Sequence, residues 1–134
     1  VRVRDAVEDD DDALGEFADA PAEVMRNVVH DRTVRVAETE ADGETEIVGF
    51  VGFDAMPGTV RVTYLRGSPD ARERLLEEPI RFARKEGMSV EVLVPEREEG
   101  TASVVEAAGF EPAGSGPRFD GGRTLKYRLD PPSR

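Results

Sequence analysis

Apolar and polar positions alternate from the first residue. Residues 1–7 set valine against arginine at every second place, the period of a short strand. An acidic run over 8–12 follows, and then the period lengthens. Leu14, Phe17, Val24, Met25, Val28 and Val29 recur at helical spacing and predict buried faces for one or two helices, broken near Pro21. Residues 33–38 read as a second strand, Ala41-Asp42-Gly43-Glu44 as a hairpin-type turn, and 47–53 as a third strand rich in β-branched and aromatic residues. Met56-Pro57-Gly58 turns the chain into a strand over 59–65. Simple alternation puts Val60, Val62 and Tyr64 of that strand on one face.

A helix is predicted over 71–86, with Leu75, Leu76, Ile80, Phe82 and Ala83 as its apolar stripe and Gly87 as its stop. Pro79 is expected to kink it or to end its first segment. Residues 89–94 form a compact buried strand. Residues 98–108 form a short helix with Val104, Val105 and Ala108 inward, closed by Gly109. A polar, glycine-rich loop over 114–122 precedes a last strand, 123–129, with Leu125, Tyr127 and Leu129 on one face; the tail 131–134 is expected to be loose. A meander followed by a β-α-β crossover makes this an α/β (α+β) chain with a mixed sheet and helices on both faces. The order is β-α-α-β-β-β-α-β-α-β-β, the penultimate strand being the weakest signal. At 134 residues, with no repeat or linker, 1–134 reads as one domain.

Composition narrows the chemistry. With no cysteine, disulfides, zinc-thiolate sites and cysteine nucleophiles are excluded. No apolar run approaches a membrane span, and the charged residues 1–13 do not read as a signal peptide, so a reducing, cytoplasmic setting is expected. The formal charge is −11, and lysine occurs only at Lys85 and Lys126. An acidic, arginine-based, lysine-poor surface fits adaptation to high salt, as in a halophile. A chain of this charge repels phosphate backbones, which disfavours nucleic acid as a partner. The acidic run at 9–12 suits a helix start and needs no metal.

Two local signals carry a resemblance. Val105-Glu106-Ala107-Ala108-Gly109-Phe110-Glu111-Pro112 resembles a helix that ends in Gly-Phe before the sixth strand of the GNAT family of acyl-CoA-dependent N-acyltransferases. Ile47-Val48-Gly49-Phe50 is similar to that family's third strand, and the order of elements resembles the family over nearly the whole chain. The resemblance implies a mostly antiparallel sheet and acetyl-CoA as co-substrate. It places the cofactor's pyrophosphate at a Gln/Arg-x-x-Gly-x-Gly/Ala turn between the fourth strand and its helix, where backbone N–H groups bind anions. The matching stretch here is Arg66-Gly67-Ser68-Pro69-Asp70-Ala71, or Gly67–Arg72 in a frame shifted by one. Pro69 stands where the first glycine would and has no N–H.

Charge supports the same place. Between Arg61 and Lys85 basic residues exceed acids by three, within a chain of −11. Arg74 with Glu78 and Glu77 with Arg81 have the spacing of helix ion pairs, whereas Arg66 and Arg72 lie near the helix start and are read as phosphate ligands. Either Asp70 or Ser68 can cap the helix; a capping carboxylate would compete with pyrophosphate, while Ser68 with Pro69 at the first helical position leaves room for an anion. The cofactor-binding candidates are Leu65, Arg66, Gly67, Ser68, Asp70, Ala71 and Arg72, with a backbone N–H at Leu65 or a neighbour as the thioester's partner.

Amide formation also needs proton handling. The resembled family's usual acid is a tyrosine four positions before the helix-closing glycine; that position is Val105, which has no proton to give. The remaining candidates are Tyr64 beside the expected reaction centre, Glu91 between Val90 and Val92, and Tyr127 on the last strand. His30, the one histidine, reads as a surface helix residue. No triad or HExxH is present. The resemblance implies N-acetyl transfer to an amine of a small molecule or protein, with direct transfer governed by positioning. The competing readings are a domain that binds or senses acyl-CoA without turnover, and a protein-interaction module. No membrane partner is expected; the oligomeric state stays open, a homodimer included.

Overall fold

A computed structural model describes residues 1–118 and 122–131. Positions 119–121 of the expected loop and 132–134 of the expected tail lie outside the described residues. The elements are β1 (Arg2–Asp5), a 3-10 turn (Glu8–Asp10), α1 (Asp11–Ala18), α2 (Ala22–Asp31), β2 (Thr33–Ala41), β3 (Glu44–Met56), β4 (Thr59–Gly67), α3 (Pro69–Glu86), β5 (Ser89–Pro95), α4 (Glu99–Ala107), β6 (Glu111–Ser115) and β7 (Thr124–Leu129). The seven strands form one sheet in the order β1-β2-β3-β4-β5-β7-β6. Among the described residues the one parallel pair is β4 with β5, joined by the crossover through α3, whereas β1 and β2 pair antiparallel although α1 and α2 lie between them. The expected mixed, mostly antiparallel sheet with helices on both faces is what forms. No described helix is long and apolar enough to cross a membrane.

The sheet separates two cores. On one side Ala71, Leu75, Leu76 and Ala83 of α3 and Val105 of α4 pack on Val60, Val62, Leu65, Val90, Val92 and Tyr127. On the other, Leu14 of α1 and Met25 of α2 pack on Val34, Val36, Phe50 and Tyr64. Val24, expected to be buried, is 41 % exposed, because Met25 takes the inward position of that turn.

Two bulges correct the simple alternation. Ala37 faces Gly49 while Glu38 faces Ile47, so Val48 is an extra residue on β3. Gly52 faces Tyr64 while Phe53 faces Val62, so Thr63 is an extra residue on β4. An added residue reverses the faces beyond it. Val60, Val62 and Leu65 therefore share the α3 side, and Tyr64 lies on the α1–α2 side rather than with the two valines.

Helix α3 starts at Pro69, two residues before the expected start, since Ser68 rather than Asp70 caps it: the Ala71 N–H donates to Ser68 Oγ at 3.2 Å. It runs unbroken through Pro79 to Glu86, so Pro79 ends no segment. The lost N–H bond is offset by burial of Leu75, Leu76, Pro79 and Ala83 along the same stripe.

Buried carboxylates tie the layers together. Asp10, from the acidic run, accepts from Arg4 at 2.9 and 3.1 Å and from the Val7 N–H at 2.8 Å, fastening the turn to β1. Glu78, 5 % exposed, accepts from Arg35 on β2 at 2.7 Å and from Arg74 at 3.1 Å. Arg81 also turns to Glu78, at 3.1 Å, rather than pairing with Glu77 as the spacing suggested. Burial alone would raise the Glu78 carboxyl, but the Arg35 and Arg74 hydrogen bonds and the Arg81 charge hold it below the ordinary glutamate range. Its stabilising contribution is thus complete above about pH 4.3, the unfolded value, and is lost as pH falls through the lower folded value. Glu78→Gln is expected to cost about 1 kcal/mol at pH 7, a modest figure because all three arginines reach solvent. Urea midpoints of variant and wild type should converge as the pH is lowered below about 4.

Candidate functional site

The bulge at Thr63 also shapes a gap in the sheet. β4 and β5 pair from Thr59↔Ser89 to Val62↔Val92 and no further, although β4 runs on to Gly67 and β5 to Pro95. Each strand keeps its outer partner to its end, β4 with β3 as far as Gly49↔Gly67 and β5 with β7 as far as Pro95↔Thr124, so the two part from each other alone. The backbone of β4 beyond Val62 faces a wedge, with Leu65 in it. Both strands then enter helices, so the N-termini of α3 and α4 rim the mouth of the wedge.

The turn from β4 into α3 is tight. Gly67 has φ +126° and stands opposite Gly49. A methyl at 67 would overlap the Val48 carbonyl oxygen and come within 2.5 Å of the Gly49 Cα. The Ser68 N–H donates to that same Val48 carbonyl at 3.1 Å. Pro69 has no N–H, the Ala71 N–H is held by Ser68 Oγ, and the Arg72 N–H by the Ser68 carbonyl at 2.9 Å. Asp70 is exposed in the first turn and sets its own carboxylate there.

Arg66 and Arg72 both reach across the mouth to the start of α4. Arg66 is buried, pairs with Glu98 Oε2 at 3.1 Å, and carries its guanidinium 5.7 Å from the Tyr64 ring centre. Arg72 Nη1 donates to Thr101 Oγ1 at 2.9 Å, and that hydroxyl donates to Glu98 Oε1 at 3.2 Å. The Arg72 Nε is buried without a hydrogen-bond partner. Its guanidinium lies against Gly100, where a methyl would come within 2.8 Å of Nη2. Sequence reasoning missed Glu98, Gly100 and Thr101. The Glu98-x-x-Thr101 spacing at a helix start was the available signal, since it sets a side-chain acceptor three residues from a hydroxyl.

The expected proton carriers do not gather. Tyr64 is 6 % exposed and tilts against Phe50, ring centres 5.5 Å apart, in the α1–α2 core. Glu91 is buried and accepts from Arg61 Nε at 2.9 Å, one rung before the strands part. Tyr127 sits in the α3–α4 core and donates to Glu106 at 3.2 Å; burial, and then the Glu106 charge, push its hydroxyl up, making it a poorer acid near neutrality. Val105 is fully buried, and His30 is exposed near the end of α2. Arg66 reaches the mouth of the wedge, whereas Tyr64 is packed in the α1–α2 core and Glu91 and Tyr127 are held by partners elsewhere.

No protein-family model and no curated protein matches the sequence. Solved structures do match. Ribosomal-protein-alanine N-acetyltransferase from Brucella melitensis is 16 % identical, with 97 % of this chain and 99 % of that chain covered at a TM-score of 0.73. PaiA N-acetyltransferase from Thermoplasma acidophilum, in complex with coenzyme A, is 14 % identical, with 96 % and 98 % covered and a TM-score of 0.70. A GNAT-family acetyltransferase from Bacillus cereus is 17 % identical, with 98 % of both chains covered and a TM-score of 0.66. At such identities the likeness is one of fold, and this chain has the fold of the GNAT acetyltransferases.

Proposed function

We propose that residues 1–134 act as one acyltransferase domain, transferring an acetyl group from acetyl-CoA to an amine of a small molecule or protein. The observation that carries this reading is the parting of β4 from β5 beyond Val62, beside the tight turn into α3. A structure of the same fold holds coenzyme A.

The residues present fit such a group in part. The β4 backbone at Leu65 faces the wedge and offers amide groups to a thioester carbonyl. Arg66 and Arg72 bring two guanidinium groups to the mouth, and the buried Arg72 Nε lacks a partner. Gly67, Ser68, Asp70 and Ala71 form the turn on which an anion would rest. Against this, Pro69 and the Ser68 cap leave few free N–H groups. Acetyl-CoA supplies the activated thioester; the chain's own part is to hold the reacting groups together and keep water out. Tyr64, Glu91 and Tyr127 are packed or paired, so proton transfer falls to water or to the acceptor.

The buried Val105 and the clasped arginines favour a second reading, a domain that binds acyl-CoA without turnover. Thermal unfolding with and without CoA, in molar salt to suit the acidic surface, tests both. At about 100 times its Kd the ligand adds about 2.7 kcal/mol, a rise in Tm of roughly 10 °C for a chain of this size. An unchanged Tm at millimolar CoA would overturn both. Thiol release from acetyl-CoA across a panel of amines then separates the enzyme from the binder.

A further inference from the structure

We infer that Glu98 is a built-in competitor for the anion site, a carboxylate that occupies Arg66 until a phosphate displaces it. This rests on the cofactor reading above. Arg66 is inward-facing, and both oxygens of Glu98 approach its Nη1, at 3.3 and 3.1 Å. At rest the two arginines at the mouth stand among carboxylates: Asp70 opens α3, and Glu98 and Glu99 open α4. An incoming anion meets no surplus of positive charge there unless one carboxylate leaves.

Glu98 is placed to leave and Asp70 is not engaged. The Glu98 side chain is 21 % exposed, so solvent is adjacent. Its backbone is fixed from both sides: its N–H donates to the Pro95 carbonyl at 2.8 Å, and its own carbonyl accepts from the Thr101 and Ala102 N–H groups. Release therefore needs side-chain rotation alone, without unwinding α4. Arg72 is held by a neutral hydroxyl and keeps its full charge for the incoming group. Binding by this route exchanges the Glu98–Arg66 pair for a phosphate–Arg66 pair. The affinity is lowered by the fraction of molecules in which Glu98 still holds the arginine.

Glu98→Gln keeps the acceptor for the Thr101 hydroxyl and removes the charge. In calorimetric titration with CoA the variant should bind roughly five- to tenfold more tightly than wild type, the range a partly buried pair allows. Its affinity should fall more steeply with salt, because it forms a new ion pair without breaking one. In an Arg66→Gln background the same change should bring little gain. Equal affinity of wild type and Glu98→Gln overturns the competitor and leaves the cofactor reading standing. An equal gain in the Arg66→Gln background also overturns it, since removal of one negative charge would then act at a distance. If neither protein binds CoA, the cofactor reading itself fails. Apo melting temperatures of all four proteins report any loss of fold.

Discussion

Deletion of Thr63 is expected to leave a chain with no cooperative unfolding transition at 25 °C. Thr63 is the residue that β3 does not match, and the two core assignments downstream depend on it. Without it, Leu65 turns to the α1–α2 side, while Tyr64 and Arg66 turn into the cluster built on Leu75, Leu76 and Val92. Stranding a guanidinium among those side chains costs about 3–5 kcal/mol. Taking Leu65 and Tyr64 from their present contacts forfeits roughly 2 kcal/mol each. The total is comparable to the whole folding free energy of a domain, about 5–15 kcal/mol. Circular dichroism against urea is the measurement. A sigmoidal transition with the wild-type midpoint would mean that the bulge does not set the faces.

Gly67→Ala should lower the unfolding free energy by about 3–5 kcal/mol. Part is backbone strain at φ +126°, about 1–3 kcal/mol, and part is relief of overlap with Val48 and Gly49, of similar size. Gly58→Ala is the internal comparison: its φ is +76°, but a methyl there meets nothing within 4 Å, so only strain remains, about 1 kcal/mol. Equal urea midpoints for the two variants would show that the close approach of β3 to the turn carries no energy. On the cofactor reading proposed above, relief that moves Ser68 from the Val48 carbonyl should also shrink the rise in Tm with CoA.

What was legible in the sequence follows from range. Strand and helix periods are local, and so is the Ser68-Pro69 start of α3; these could be read along the chain. The bulge at Thr63 is a relation between β3 and β4, invisible to alternation within β4, and it alone moved Tyr64 to the other core. The Arg74–Glu78 pair lay within one helical turn and was foreseeable, whereas Arg35 reaches Glu78 from another layer. Arg66 and Arg72, expected as phosphate ligands from their place near the helix start, lie at the mouth beside the turn. Their partners, Glu98 and Thr101, come from the far side of the crossover; the spacing of those two residues links them to each other but does not say which arginines they face.

The sheet is continuous between β1–β4 and β5–β7–β6 only across the short parallel seam from Thr59↔Ser89 to Val62↔Val92. Mechanically this makes the molecule a sprung clip rather than a plate. The jaws are the free lengths of β4 and β5, and the pivot is the seam. Prising the jaws apart at Gly67 and Pro95 flexes the pivot without breaking a rung of the ladder. That motion is resisted by the apolar cluster that Leu65, Leu75, Val94 and Val105 share across the jaws, and by two polar bridges at the mouth, Arg66 with Glu98 and Arg72 with Thr101. Of these, the two polar bridges are the part that can be altered without removing a side chain from either core.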